Sequence, residues 1–392
     1  MSSKIPNTDN DLNSFLKETN QNQKIDTYYN QVDIIKAFAI ISIVLGHTIT
    51  HNIEKISFWY FHMGLSVPFF CIVMGFNMSL SFKRRNYENL NQMYSKEYIS
   101  SRFKRLFIPY IIIYYISVFL VWILFITPAA KLIIENTNSE LNDGGMSILA
   151  ILYWGLPISG PGGGFTAVIF QFVLIFPLLY RLYLYSPRLM VIACFIIEFF
   201  FFLFISILFY SSIELFDFNF FFYFRILCYL TFFAMGIWIA EAPNITSKRN
   251  LFILIAFPFS VFYLFGWHIN LFYGYDHYMH YFAVFRVIYA VIIFMLLLKY
   301  LPPESDNKLY VFLTKVGKRT YHIFLVQIIF YGLGCSFGNI MIILGWDSES
   351  NLILFYCIAI ILNLFACLIL GELFYRFEYN VRKVLFHNLK KA

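Results

Sequence analysis

Charge is scarce in this sequence. Asp, Glu, Lys and Arg make up 13% of its 392 residues, against about 25% in an ordinary soluble domain, so a water-facing surface cannot be assembled from it. Paired cysteines are missing too. Cys71, Cys194, Cys228, Cys335, Cys357 and Cys367 fall singly within apolar runs, which excludes a disulfide framework or zinc spacing and leaves them as small packing residues. The glycine cluster GPGGGF at 160–165 lacks the Gly-Lys-Ser/Thr that completes a phosphate-binding loop and reads as a turn opening a helix. The first thirty residues hold no apolar stretch that could act as a secretory signal.

What the chain does have is apolar length. Apolar residues make up 60% of it and aromatic residues 21%, and runs of the length that crosses a hydrocarbon layer of about 30 Å follow one another. The fold class expected is all-α, a polytopic transmembrane helical bundle of about ten spans, near 34–52, 58–82, 106–126, 165–185, 189–210, 221–240, 250–266, 281–299, 320–345 and 351–374. The bilayer is its solvent and first partner. The stretch 146–156 (MSILAILYWGL) is too short to cross and, with Pro157 behind it, reads as interfacial or re-entrant. Around this membrane domain, 31–378, lie a polar tail over 1–30, expected to be disordered, and a basic tail over 379–392.

Lys and Arg orient the bundle, because cytoplasmic loops retain positive charge during insertion. Of the 29, 24 fall on one side with both termini, two (Lys55, Lys131) on the other, and three (Lys36, Arg225, Arg286) inside spans. This predicts a multi-pass cell-membrane protein with cytoplasmic N- and C-termini. The net charge of +7 is spread over those loops without interleaved stacking aromatics, so no nucleic-acid partner is expected.

Ionisable groups inside a span are costly and therefore candidates for function. In the first span Lys36 and His47 are eleven residues apart, about three turns, so they share one face about 16 Å apart along the axis. Asp33 falls close to the same stripe. Arg225, Arg286 and, near mid-membrane, Glu198 complete the set; with His47 the arginines suggest a polar cavity open to the outside, unless Glu198 merely bridges to one of them. His62 begins the second span near the outer interface. His268, Asp276, His277 and His280 belong to an outer loop whose spacing matches no firm metal signature; a solvated or carbohydrate-facing loop is the reading, and no metal site is expected.

Several blocks then form a pattern. QVDIIKAFAIISIVLGH carries a basic residue and a histidine eleven positions later; VPFFCIVMGF follows in span two, SSRFKRLFIPY before span three, FQFVLIFPLLY in span four and GKRTYHIFLVQ late in the chain. In this order the chain resembles the acyltransferase 3 family of bacterial integral membrane O-acyltransferases over roughly residues 30–380. It departs from the family pattern in having Lys36 for Arg, Met74 for Ser and Gln327 for a late His.

The resemblance implies transfer of an acyl group, commonly acetyl, from cytoplasmic acyl-CoA to a hydroxyl of an envelope glycan or lipid-linked sugar. Acyl-CoA is then a substrate, and no bound cofactor is expected. His47 is the expected general base, imidazole titrating near neutral pH, with Lys36 orienting or neutralising the donor and His62 as a further catalytic candidate. Arg84, Arg85, Arg102 and Arg105 either grip the phosphates of coenzyme A or serve only insertion topology. Arg225, Arg286 and Glu198 would line the acceptor cavity. No hydrolase-like domain follows the last span, so a partner transferase would be a separate protein. A reading from another class is a transporter or exporter of a glycan or small anion along the same charges, though no paired inverted halves or doubly broken helices favour it.

The charge asymmetry makes a topological prediction. Reporters fused after Ala392 and within the 83–105 loop should read cytoplasmic, and one near residue 140 external; an inverted reading at either inner site would reverse the orientation.

Overall fold

The computed structural model describes residues 29–48, 58–126, 156–158, 160–210, 225–269, 271, 283–343 and 352–389, and all regular structure among them is helical. In chain order come α1 (Asn30–Thr48), α2 (Trp59–Arg84), the short α3 (Leu90–Met93) and α4 (Lys96–Arg102), a π turn (Phe103–Phe107), α5 (Ile108–Ile126), α6 (Phe165–Tyr185) and α7 (Pro187–Tyr210). Then follow α8 (Leu230–Glu241), α9 (Leu251–His268), α10 (Val287–Tyr300), α11 (Lys308–Lys318), α12 (Thr320–Gly332), α13 (Phe337–Ile343) and α14 (Leu352–Leu389). The expected tail over 1–30 lies outside the described residues except for its last two, and so does 146–155.

Each of the ten expected spans falls on a helix, and eight helical segments are long and apolar enough to cross a membrane. The span expected over 320–345 is divided at Gly332 into α12 and α13. Those expected over 221–240 and 281–299 are short: α8 has 12 residues and α10 has 14, about 18 and 21 Å of helix. A 3-10 turn precedes each, Arg225–Cys228 before α8 and Ala283–Arg286 before α10. Backbone groups at such helix starts need partners wherever water is excluded. Neighbouring side chains supply them: Gln171 accepts from the N–H of Ile226 at 3.0 Å, Glu198 from Thr231 at 2.8 Å, and Ser260 from Tyr289 at 3.0 Å while donating to the carbonyl of Phe285 at 2.6 Å. At the far end, α14 runs unbroken through residues 379–389, where a separate basic tail was expected.

α1 lies at the centre: 67% of its span is buried, against 28% for α7, α9 and α14, whose outer faces expose side chains such as Phe259 and Ile361. α2 and α8 touch backbone to backbone at a reciprocal pair of glycines. A Cβ on Gly75 would overlap the carbonyl of Phe233, and one on Gly236 the carbonyl of Ile72, so only small residues permit this approach.

The loops that carry most of the Lys and Arg are tied together at one end. Asn30 bonds the carbonyl of Pro303 at 3.0 Å, Lys83 pairs with Glu241 at 2.9 Å, Arg181 donates to the carbonyl of Glu88 at 2.8 Å, and Arg319 pairs with Glu372 at 2.7 Å. Proline chemistry fixes the short helices to this end. Pro177 has no N–H to offer the carbonyl of Val173, and the Tyr98 hydroxyl donates to it instead at 2.8 Å, with Tyr94 bonding the next carbonyl, Leu174, at 2.7 Å.

Gly75→Val should therefore overpack the α2–α8 contact and lower stability by about 1–3 kcal/mol, read as a reduced thermal midpoint in detergent. An unchanged midpoint would mean that the two helices separate freely.

Candidate functional site

A cavity of about 180 Å³ opens among α1, α2, α6, the π turn and the α11–α12 junction. Its polar end gathers basic side chains from three stretches of chain: Lys36 of α1, Arg102 and Arg105 around the π turn, and Lys318 with His322 at the junction. α2 contributes a single stripe at helical spacing, Phe70, Val73, Met74 and Asn77. Phe70 is seven residues, about 10 Å, farther from the basic end than Asn77. With Phe165, Ile169 and Phe324 it makes the far end apolar.

Local sequence explains each element. Pro109 cannot supply the N–H that would cap the carbonyl of Arg105, and just before it the helix widens into the π turn that carries Lys104 and Arg105; such turns recur at functional sites. The hydroxyl of Tyr321 donates to the carbonyl of Leu106 at 3.0 Å, joining the turn to α12. α11 meets α1 where Gly317 lies over the carbonyl of Asp33, a spot with no room for a Cβ. Asp33, itself buried, forms an ion pair with Lys36 one turn on.

Of the four arginines expected to bind donor, Arg102 and Arg105 line the cavity and Arg84 and Arg85 do not. Arg102 lies 5.7 Å from the ring of Tyr98, and its buried Nε has no hydrogen-bond partner among the described residues. Arg85 pairs with Glu97 at 2.9 Å at the surface.

His47 does not line this cavity. Its ring meets Tyr331 edge-on at 5.8 Å, and no described residue hydrogen-bonds to it. Beside it lies a polar knot: the Tyr331 hydroxyl is 2.8 Å from the Thr48 hydroxyl and donates to the carbonyl of Val44 at 3.1 Å, while the Asn363 amide donates to Thr48 at 3.1 Å. His62 stands in the first turns of α2, its buried Nδ1 without a hydrogen-bond partner among the described residues. His268 stacks on Phe58 at 4.6 Å; Asp276, His277 and His280 lie outside the described residues. Among the described residues no three His, Cys, Asp or Glu side chains gather as a metal site would require.

Glu198 is fully buried at the middle of α7. Among the described residues no ion pair joins it to Arg225 or Arg286, and it accepts from the Thr231 N–H. Arg286 lies within electrostatic range of it, and both arginines stand in the 3-10 turns rather than within regular helix.

Sequence reasoning missed His322. It lines the cavity, and its Nε2 is 3.4 Å from Glu378 of α14, which also binds Arg382. The signal lay in the late block itself, where His322 follows Tyr321, but its carboxylate partner is 56 residues away. Gln327, the departure from the late histidine, donates to the carbonyl of Pro161 at 3.2 Å and so ties the glycine turn to α12. The turn opens α6 as expected, the carbonyl of Gly162 accepting from Phe165 at 2.9 Å.

The family model described as an acyltransferase domain matches residues 29–372. The chain belongs to the acyltransferase 3 family. The match covers every residue that lines the cavity. No curated protein and no solved structure matches the acyltransferase. With its apolar helices, it is a multi-pass membrane acyltransferase, and this class places acyl transfer ahead of export.

Proposed function

We propose that this acyltransferase moves an acyl group, acetyl in the simplest case, from acyl-CoA on its basic side to a hydroxyl of an envelope glycan or lipid-linked sugar. The observation that carries the reading is the cavity's polarity. Coenzyme A joins anionic phosphates to a long, nearly uncharged arm ending in the thioester; the cavity has Lys36, Arg102, Arg105 and Lys318 at one end and aromatic and aliphatic walls at the other. Guanidinium forks hold phosphate bidentately, and the buried, unbonded Nε of Arg102 is a donor awaiting an acceptor.

In the chemical step His47 takes the proton of the acceptor hydroxyl. The oxygen attacks the thioester carbonyl, the C–S bond breaks as the C–O bond forms, and the imidazolium returns its proton to the departing thiolate. The edge-on contact with Tyr331 keeps the His47 ring in place. His62, Glu198, Arg225 and Arg286 would serve the acceptor, the arginines through its hydroxyl or phosphate oxygens. The basic side is read as cytoplasmic, where acyl-CoA is made.

Two experiments separate donor from acceptor functions. Arg102→Lys and Arg105→Lys should weaken acyl-CoA binding about tenfold or more by removing the fork, whereas Arg84→Lys should bind as the parent does; equal affinity in all three would reduce these arginines to topology. A general base contributes about 10²–10⁴ in rate, so His47→Gln should reach the membrane at normal levels, bind acyl-CoA and lose nearly all transfer to glycan, measured as base-labile esters. Near-full transfer by His47→Gln would remove the base assignment and move it to His62.

A further inference from the structure

α11 differs in kind from the crossing helices. Its sequence, KLYVFLTKVGK, leaves Leu309, Val311 and Phe312 exposed alongside Lys308 and Lys315 while Val316 packs inward, and its eleven residues extend only about 16 Å. Leu309 and Phe312 are 64% and 48% exposed. A short basic helix with its apolar face turned out of the protein is built to lie in a membrane interface.

Between α11 and α14 runs a groove of about 330 Å³. Its floor is apolar, with Phe312, Ile323, Leu368 and Ile369 in contact with the space. Its rim is ionic. Glu372 is gripped by Arg319 at 2.7 Å and by Arg376 at 2.9 Å, while Lys315 makes no ion pair among the described residues. Three cations against one carboxylate leave the rim doubly positive. An apolar channel with an excess of positive charge at one end fits an amphiphile whose head is an anion, and a zwitterionic head would leave that excess uncompensated.

We propose that the α11–α14 groove is a binding site for an anionic phospholipid of the leaflet on the basic side, its acyl chain along Ile323 and Ile369 and its phosphate between Lys315 and Arg376. Surface attraction of anionic lipid to Lys and Arg acts in the same direction. The site has a consequence for the cavity: α11 ends in Gly317 and Lys318, both of which line it, so the lipid holds that wall in place. The assignment is independent of which donor the cavity takes.

The test titrates the purified full-length protein in detergent with dioleoyl phosphatidylglycerol or dioleoyl phosphatidylcholine and follows the thermal midpoint. Phosphatidylglycerol should raise the midpoint saturably and phosphatidylcholine should not. The double variant Lys315→Gln/Arg376→Gln should need about tenfold more phosphatidylglycerol or worse. Arg188→Gln/Lys248→Gln, which removes the same charge elsewhere on the basic face, should titrate as the parent does. Should the rim double variant fail to fold, Lys315→Gln alone removes an exposed ammonium and reads the same shift in smaller measure. Equal response to the two lipids, parental titration by the rim variants, or an equal loss in the control pair would each overturn the proposal.

Discussion

The contact on which the functional architecture depends is made by a glycine and a carbonyl. Gly317 lies against the backbone of Asp33, which brings the end of α11 onto α1 one turn from Lys36 and turns Asp33 into a buried partner for that ammonium. An isolated charge at this depth would be driven to snorkel or to lose its proton. Paired with Asp33 and walled by α11, Lys36 stays within the bundle and faces the cavity with Lys318 beside it. A bulkier residue at 317 would part α11 from α1 and open the cavity's wall along with the ion pair's cover.

The same shortage of water governs the interior. α8 and α10 begin as 3-10 turns, and their first N–H groups are met by Glu198 and Ser260. Glu198 caps the start of α8 by accepting from the Thr231 N–H, so it has a structural reason to exist beside any role with the arginines. Arg286 remains in its electrostatic neighbourhood, and the two arginines, standing in the 3-10 turns, are the stronger candidates for the acceptor side.

How much of this was legible in the sequence follows from the range of each interaction. Helix positions came from apolar runs, which are local, and all ten were found; the failures are at the beginnings of α8 and α10, where composition stays apolar while the backbone leaves the α conformation. Arg102 and Arg105 could be ranked with Arg84 and Arg85 only as a basic cluster, because what sets Arg102 and Arg105 apart is their place around the π turn before Pro109, at the cavity. His322 and Glu378, 56 residues apart, and the Thr48–Tyr331–Asn363 knot, whose ends are 315 residues apart, are products of packing that no local pattern announces. The departures from the family blocks were visible at once, but the meaning of Gln327 needed the carbonyl of Pro161.

The bond from Gln327 to Pro161 also bears on how the two ends of the bundle are joined. Lys36 and His47 share a face of α1 about 16 Å apart, and the cavity covers only the first part of that distance before Phe70, Phe165 and Phe324 close it. The glycine turn meets α12 at the same level: Gln327 follows Phe324 by three residues and bonds Pro161, while Tyr331, one turn farther, carries the ring that contacts His47. α12 therefore passes in sequence the cavity at His322, the turn at Gln327 and the histidine at Tyr331. One helix touches all three in under four turns and so joins the basic end of the bundle to His47, with the bond from Gln327 to Pro161 at the midpoint of that path.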